Sequence, residues 1–161
     1  EKRYFHTEIG INGRLDTIQA AILLAKLEFY ESEVKKRDEF GKYYSQKLQS
    51  IGIKSIPFIH PNNKSVFAQY TIRVNNRTDF QKELKNHGIP TSVHYPNILP
   101  LQPALSRLQD STKVTSLYKN AYEASKTVIS LPFHPWLETS EIDYIVKKIE
   151  KVISKNSSLF S

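Results

Sequence analysis

The run from Gly10 to Ile22 contains two side chains, those of Asn12 and Arg14, that could bind an anion at the start of a helix. Asparagine favours the N-cap position because its side-chain oxygen accepts from the free backbone N–H groups of the first turn. Those N–H groups attract phosphate, and a guanidinium can fork onto phosphate or carboxylate oxygens. The run therefore predicts either an anion site at a helix start or an ordinary capped helix in which Arg14 pairs with Asp16 or a neighbour.

His94 and Tyr95 form a second pair of side chains that could do chemistry, because they end a predicted strand over 91–95, just before Pro96. A strand end can present an imidazole and a phenol to a pocket. Adjacent residues of a strand point to opposite faces, so we expect at most one of the two to point squarely into a given site. Two interpretations stay open: a ligand site, or a core aromatic beside a hydrogen-bonded surface histidine.

The other residues with chemical potential show no pattern typical of a site. The five histidines lack the spacing of metal ligands, and the chain has no cysteine, which excludes thiolate catalysis and Cys-ligated metals. No Gly-rich phosphate loop or nucleophile elbow occurs. Lys26 lies within an apolar run, where a long stem usually carries its amine to water. His134 lies in a proline-rich turn and is interpreted as structural, and we predict no metal site.

Composition limits the classes of partner. The net charge is +7, but the lysines from 147 to 155 alternate with acidic residues and have no aromatic residues between them, which indicates a solvated helix face rather than a nucleic-acid surface. No apolar stretch reaches the roughly 18 residues of a membrane span. We therefore expect a cytoplasmic protein with no nucleic-acid partner and no membrane span. A chain that begins at Glu1 and has no methionine is also expected to be part of a longer protein.

Hydrophobic periodicity predicts one α/β (α+β) domain. A first helix is predicted from Gly13 or Arg14 to about Ile51, with a bend near 31–33 and Gly52 at its end. Its first half is apolar on most sides, which implies that a partner domain or subunit covers it. The other predicted elements are strands at 53–59, 66–74 and 91–95, a helix capped by Thr78, a helix over 114–124, an extended piece at 128–131, and a last helix that starts at Thr139 or Ser140 with Ser140 and Asp143 as a weak capping box.

Three segments of the chain resemble the characteristic segments of one protein family. Residues 10–21 read GINGRLDTIQAA, residues 93–96 read VHYP and are followed by LQPA at 101–104, and residues 130–135 read SLPFHP. They occur in the family's order, at roughly its spacing, and span nearly the whole chain. The chain thus resembles the DegT/DnrJ/EryC1/StrS aminotransferases, which use pyridoxal phosphate. The nearest relatives implied are enzymes that aminate a keto group on a UDP-linked sugar for surface polysaccharide.

The resemblance implies the C-terminal small domain of a fold-type I transferase dependent on pyridoxal phosphate. Residues 1–51 would be a leading segment and a long interface helix, and residues 52–161 a small α/β domain with a mixed or antiparallel sheet flanked by helices. The large cofactor-binding domain would lie upstream, with the lysine that binds the cofactor covalently and the acid that pairs with the pyridine nitrogen. This chain would then contain no catalytic residue and be inactive by itself.

The resemblance also assigns roles to residues. Asn12 would reach the cofactor phosphate of the neighbouring subunit in a homodimer formed through the first helix, and Arg14 would support the same corner. The segment 4–6 would also reach across that interface. His94 and Tyr95 would line the substrate side. The complete enzyme would pass an amino group from an amino-acid donor, glutamate, to a nucleotide-linked keto-sugar. The alternative is a non-catalytic regulatory or binding module that kept the aminotransferase fold.

Overall fold

The structure is a computed structural model that describes residues 3–105 and 111–155. Within these ranges the chain forms five α-helices and two short β-strands, with two 3-10 turns at Leu99–Leu101 and Pro103–Leu105. In chain order the regular elements are α1 (Thr17–Ser50), β1 (Tyr70–Arg73), α2 (Arg77–Asn86), α3 (Ser111–Leu117), α4 (Lys119–Thr127), β2 (Val128–Leu131) and α5 (Thr139–Lys155). None of these helices is both long enough and apolar enough to cross a membrane.

The sheet is antiparallel, with β1 paired to β2 so that Thr71 faces Ser130 and Ile72 faces Ile129. Ser92 adds a single antiparallel bridge to Ser130. The predicted strand at 53–59 is wrong, the one at 66–74 keeps only its last part, and the one at 91–95 is reduced to that bridge. Their residues have strand-like composition, but a strand also needs a neighbour to take its backbone hydrogen bonds.

The start of α1 corrects the sequence prediction. The helix begins at Thr17, and Asp16 rather than Asn12 is its N-cap. The Gln19 backbone N–H donates to Asp16 Oδ1 at 2.8 Å, and the Asp16 backbone N–H donates to Gln19 Oε1 at 3.4 Å. This reciprocal capping box satisfies two free donors at once, which a cap at Asn12 would not do. At the other end, Gly52 has a φ of +88° just past the helix, as predicted.

Three further helix predictions are corrected. Asn76, not Thr78, caps α2 through its side-chain oxygen. The single helix predicted over 114–124 is two helices that meet at Tyr118. The last helix does start at Thr139, but the backbone N–H that precedes it, that of Glu138, donates to the side chain of Glu141 rather than to the weak box proposed from Ser140 and Asp143. In the first and third cases nearby polar residues compete for the cap, and sequence does not rank them.

One hydrophobic core joins the second half of α1 to the sheet, α2 and α5. From α1 come Tyr44 and Leu48, and α5 adds the helical stripe predicted from its sequence. The first half of α1 contributes nothing to this core. The largest fully buried side chains are Tyr44, Leu48, Ile53, Tyr70, Ile72, Val74, Phe80, Leu84, Ile129, Ile142 and Ile149.

An ion pair links α1 to α5 on the surface of this core. Lys47 Nζ lies 2.8 Å from Asp143 Oδ1, and the Tyr43 hydroxyl donates to the same carboxylate at 3.0 Å. The hydrogen bond from Lys47, and then that from Tyr43, lowers the pKa of Asp143 below its usual value. Because the pair is solvent-exposed, its contribution to stability is small compared with that of the apolar contacts beneath it.

Two stacked tyrosines in the core give a matched stability test. The rings of Tyr44 and Tyr70 lie 4.7 Å apart. The Tyr70 hydroxyl is 2.8 Å from Ser45 Oγ, whereas the buried Tyr44 hydroxyl has no hydrogen-bond partner among the described residues. A buried unpaired hydroxyl costs about 1–3 kcal/mol. Tyr44→Phe is therefore expected to raise the free energy of unfolding by about that amount, and Tyr70→Phe to lower it by about 0.5–1.5 kcal/mol.

Urea unfolding of both variants measures the difference, and equal losses of stability would contradict it.

The same pair of tyrosines predicts that the free energy of unfolding falls at alkaline pH. Burial raises the pKa of Tyr44 above its ordinary value and raises the pKa of Tyr70 to about 12. The unfolded tyrosines ionise near pH 10, so the folded state retains protons that the unfolded state releases, and stability falls as pH rises above that value. Tyr44→Phe is expected to make this fall shallower.

Candidate functional site

His94 is held against the sheet by a chain of side-chain hydroxyls. Its Nδ1 lies 3.0 Å from Ser130 Oγ, and Ser130 Oγ lies 2.9 Å from Thr71 Oγ1. Backbone bonds fix the same region, since Ser92 and Ser130 exchange N–H···O bonds of 3.1 and 2.8 Å. Ser130 is 4% exposed. The sheet therefore sets the orientation of the imidazole through one of its nitrogens and leaves the other without a partner from the sheet.

His94 and Tyr95 line one groove of about 370 Å³ between the 97–100 loop and α4. Their rings lie 5.6 Å apart and nearly perpendicular. The sequence predicted that at most one of them would face a given site, but this prediction assumed a strand. Only Ser92 is bridged here, so the alternation of a strand does not apply to the pair. The remaining lining residues are Asn97, Ile98, Leu99, Pro100, Tyr118, Ala121, Ala124, Ser125 and Val128.

The leading segment lies beside this groove within the same chain. The ring of Tyr4 meets that of Tyr95 edge to face at 5.4 Å. The buried side chain of Gln102 accepts from the His6 backbone N–H at 3.2 Å, and the Ala104 backbone N–H donates to the His6 carbonyl at 2.8 Å. Gln102 belongs to the LQPA segment at 101–104, but no role for its side chain follows from the sequence. Its contact with His6 spans 96 positions, and no local pattern indicates such a pairing.

Asn12 and Arg14 lie in an exposed segment without regular secondary structure before α1. Neither forms a hydrogen bond or ion pair with the residues that the structure describes. The expected pairing of Arg14 with Asp16 is not observed, because Asp16 caps the helix. The two side chains therefore present an amide and a guanidinium to their surroundings. They do not lie at the start of α1, so the predicted anion site that combines them with the first turn of the helix is not formed.

The first half of α1 exposes a large apolar surface on several sides of the helix. Ile18 is 75% exposed and Leu24 is 68% exposed, far more than large side chains in a finished core. Part of the surface forms a groove of about 620 Å³, and Lys26 is one of the residues that line it. We call this surface the apolar face of α1. It consists of Leu15, which directly precedes the N-cap of the helix, and of Ile18, Ile22, Leu23, Leu24, Leu27, Phe29 and Tyr30.

The residues present fit one part of pyridoxal phosphate. An amide and a guanidinium free of other partners are suitable donors for its phosphate. Neither Asn12 nor Arg14 lines the groove at His94, the groove at His134 or the groove along α1, so a pocket for the pyridine ring at these two residues would need walls from elsewhere. No cluster of three metal-ligating side chains occurs in the described parts of the chain. His134 is exposed, with its ring 6.1 Å from that of Trp136.

The arrangement of long helix, small antiparallel sheet and flanking helices is found in solved aminotransferase structures. One is the crystal structure of a DegT DnrJ EryC1 StrS aminotransferase from Brucella abortus, which is 33% identical to this chain with a TM-score of 0.70. The match covers 94% of this chain and 39% of that one. The fold is therefore that of part of a fold-type I aminotransferase, as the sequence resemblance implied.

A sequence profile of the DegT/DnrJ/EryC1/StrS aminotransferase family matches residues 1–150. The chain belongs to this family. It is 45% identical over 145 residues to the UDP-2-acetamido-2-deoxy-3-oxo-D-glucuronate aminotransferase of Pseudomonas aeruginosa, covering 90% of this chain and 38% of that protein. It is 36% identical over 149 residues to a pleiotropic regulatory protein of Geobacillus stearothermophilus, covering 91% of this chain and 39% of that protein. The chain thus spans about two-fifths of the length of these relatives.

Proposed function

We propose that this chain is the C-terminal part of an aminotransferase dependent on pyridoxal phosphate that aminates a keto carbon of a nucleotide-linked sugar in the cytoplasm, for surface polysaccharide. The observation that carries the proposal is the 45% identity to the Pseudomonas aeruginosa enzyme, whose named substrate is a UDP-linked keto-sugar. The amino-acid donor is glutamate. In the complete protein a larger domain precedes this chain and supplies the lysine for the cofactor.

In this proposal, residues 1–51 form a leading segment and an interface helix, and residues 52–161 form the small domain. The cofactor supplies the electron sink for amino transfer, and the protein supplies binding, orientation and electrostatics. This chain therefore contributes positioning rather than a catalytic residue. Its contributions come from three surfaces: the exposed segment at Asn12 and Arg14, the groove at His94 and Tyr95, and the apolar face of α1.

Asn12 and Arg14 bind the phosphate of the cofactor held by a second subunit. Their exposure and their lack of partners among the described residues support this role, because the donors are available without breaking an existing bond. The apolar face of α1 follows them directly along the chain. A second copy that brings its cofactor to Asn12 also comes next to this face, so we propose that the homodimer forms through it.

His94 and Tyr95 contact the sugar substrate. An imidazole can donate or accept at its free nitrogen, and a phenol can do both, which suits the hydroxyl groups of a sugar ring. The groove that they line is mostly apolar, and its other polar side chains are Asn97, Tyr118 and Ser125. A few polar groups in an apolar groove give orientation and specificity to a ligand.

The test is turnover by the complete protein. Incubated with pyridoxal phosphate, glutamate and a UDP-linked 3-keto-glucuronate, it is expected to form 2-oxoglutarate and a sugar that mass spectrometry identifies as the amine. The 161-residue chain by itself is expected to form neither. In the same assay His94→Gln is expected to raise KM for the sugar about tenfold, the value of one hydrogen bond of about 1.4 kcal/mol. Turnover by the isolated chain would refute the assignment of the chemistry to upstream residues.

A second candidate function is a non-catalytic regulatory or binding module. It is favoured by the name of the Geobacillus stearothermophilus relative, a pleiotropic regulatory protein. The residues that precede Glu1 in the complete protein distinguish the two functions. A cofactor domain with its lysine there predicts amino transfer in the assay above. An unrelated domain predicts no turnover and no retained cofactor.

A further inference from the structure

The hydroxyl chain behind His94 is unusual in the kind of partner that it offers to the imidazole. A carbonyl or carboxylate partner accepts only, and it fixes the proton of a neutral histidine on the nitrogen that faces it. Ser130 Oγ, 3.0 Å from His94 Nδ1, can either donate or accept. Which of these it does depends on its other partner, Thr71 Oγ1 at 2.9 Å, which is also a hydroxyl.

Two arrangements of protons satisfy this chain. In the first, Thr71 donates to Ser130 and Ser130 donates to Nδ1, so that the imidazole carries its proton on Nε2. In the second, Nδ1–H donates to Ser130 and Ser130 donates to Thr71, so that Nε2 is free to accept. Each hydroxyl has one donor and two acceptor sites, so neither arrangement leaves an unpaired donor on the 4% exposed Ser130.

We propose that Ser130 and Thr71 are positioning residues for His94. Together they hold the imidazole ring by its Nδ1 atom. When the direction of their hydrogen bonds reverses, Nε2 changes from a donor to an acceptor, so that it can either donate to or accept from a sugar hydroxyl in the groove. This inference rests on the proposed contact of His94 with the sugar. Thr71 is essential in it because Thr71 provides the acceptor for the Ser130 hydroxyl when Nδ1 carries the proton.

The geometry makes the two hydroxyls a rigid support. Thr71 and Ser130 are cross-strand partners in the sheet, so their separation is fixed by the pairing of β1 and β2. Ser130 is also bridged by its backbone to Ser92, two residues before His94. The imidazole is thus attached to the sheet by one main-chain link and one side-chain link, and a ring turn would break the second.

The test compares Thr71→Val with Thr71→Ser in the complete protein labelled with ¹⁵N-histidine, with His94→Gln used to assign the His94 signals. Valine has nearly the shape of threonine but no hydroxyl, so among the described residues Nδ1 is the acceptor that remains for the Ser130 hydroxyl. The ¹⁵N shifts at alkaline pH are therefore expected to show His94 of Thr71→Val entirely with its proton on Nε2. Wild type and Thr71→Ser are expected to share a mixed population.

Kinetics give the second measurement. Thr71→Val is expected to raise KM for the nucleotide sugar about tenfold with kcat retained, since it removes one acceptor contact of about 1.4 kcal/mol, and Thr71→Ser is expected to restore the wild-type KM. Ser130→Ala is the independent variant: it removes the hydroxyl but not the backbone bridge, and it is expected to give the same rise in KM. Identical ¹⁵N shifts in Thr71→Val and Thr71→Ser would overturn the proposal. The shifts are measured without turnover, so a failure of the proposed amino transfer is seen separately.

Discussion

Replacing Leu23 and Leu27 together by glutamate is expected to dissociate the complete protein into inactive monomers. Both side chains lie on the apolar face of α1 and line its groove, and Leu27 is 58% exposed in this chain. Burying one leucine contributes about 1.5–3 kcal/mol, and an unpaired carboxylate in its place adds a desolvation cost. A loss of about 3 kcal/mol or more weakens self-association at least about 100-fold.

Sedimentation velocity and the amino-transfer assay measure this effect. The matched control is Gln46→Glu with Gln49→Glu, which adds the same charge at exposed positions of the same helix and is expected to leave the dimer intact. Leu23 and Leu27 are exposed and are not among the core residues that the structure describes, so the thermal unfolding of the 161-residue chain by itself is expected to stay unchanged. A double variant that stays dimeric but melts earlier would show that upstream residues of the same subunit cover the face, and would refute a second copy as the occupant.

Asn12→Ala is expected to weaken retention of pyridoxal phosphate by the complete protein by about 1–3 kcal/mol, the usual cost of losing a hydrogen bond to a charged group. This corresponds to a rise of about 5- to 150-fold in Kd. Asn12→Asp is expected to weaken it further, because a carboxylate at the same position repels the phosphate. Equilibrium dialysis against the cofactor measures both.

The corrected start of α1 sharpens this test. Because Asp16 rather than Asn12 caps the helix, neither substitution at residue 12 is expected to change the helix content or the thermal unfolding. Thr7→Ala, also exposed in the leading segment, serves as the control and is expected to retain the wild-type affinity. Equal affinities of Asn12→Ala, Asn12→Asp and Thr7→Ala would refute the phosphate contact.

Local patterns predicted the helices better than the sheet. The apolar stripe of α5 repeats at helical spacing, and its residues enter the core as expected, with Ile142 and Ile149 fully buried. Gly52 ends α1 because a residue with positive φ is needed there, and glycine adopts it without strain. Each of these outcomes depends on residues within a few positions of one another. The helix start at Thr17 was missed because Asn12 and Asp16 are both good caps, and only the reciprocal bond with Gln19 separates them.

The sequence indicated the residues proposed to contact ligands but not the residues that support them. The resemblance pointed to Asn12, Arg14, His94 and Tyr95 through short segments. Nothing in the sequence indicated that Ser130 would support His94, because their contact joins residues 36 positions apart. The same holds for Thr71, which meets Ser130 across 59 positions.

The amino-acid sequence by itself determined the family, the helical periods and the excess of apolar residues in the first half of α1, because each is encoded in spacing and residue type along the chain. Only the tertiary structure decided that this apolar half lies outside the core, that β1 and β2 are short, and that one imidazole nitrogen is held by the Ser130 hydroxyl, which in turn contacts the Thr71 hydroxyl. These features depend on which distant segments meet, and the free energy of such contacts comes from burial and pairing that no single segment contains.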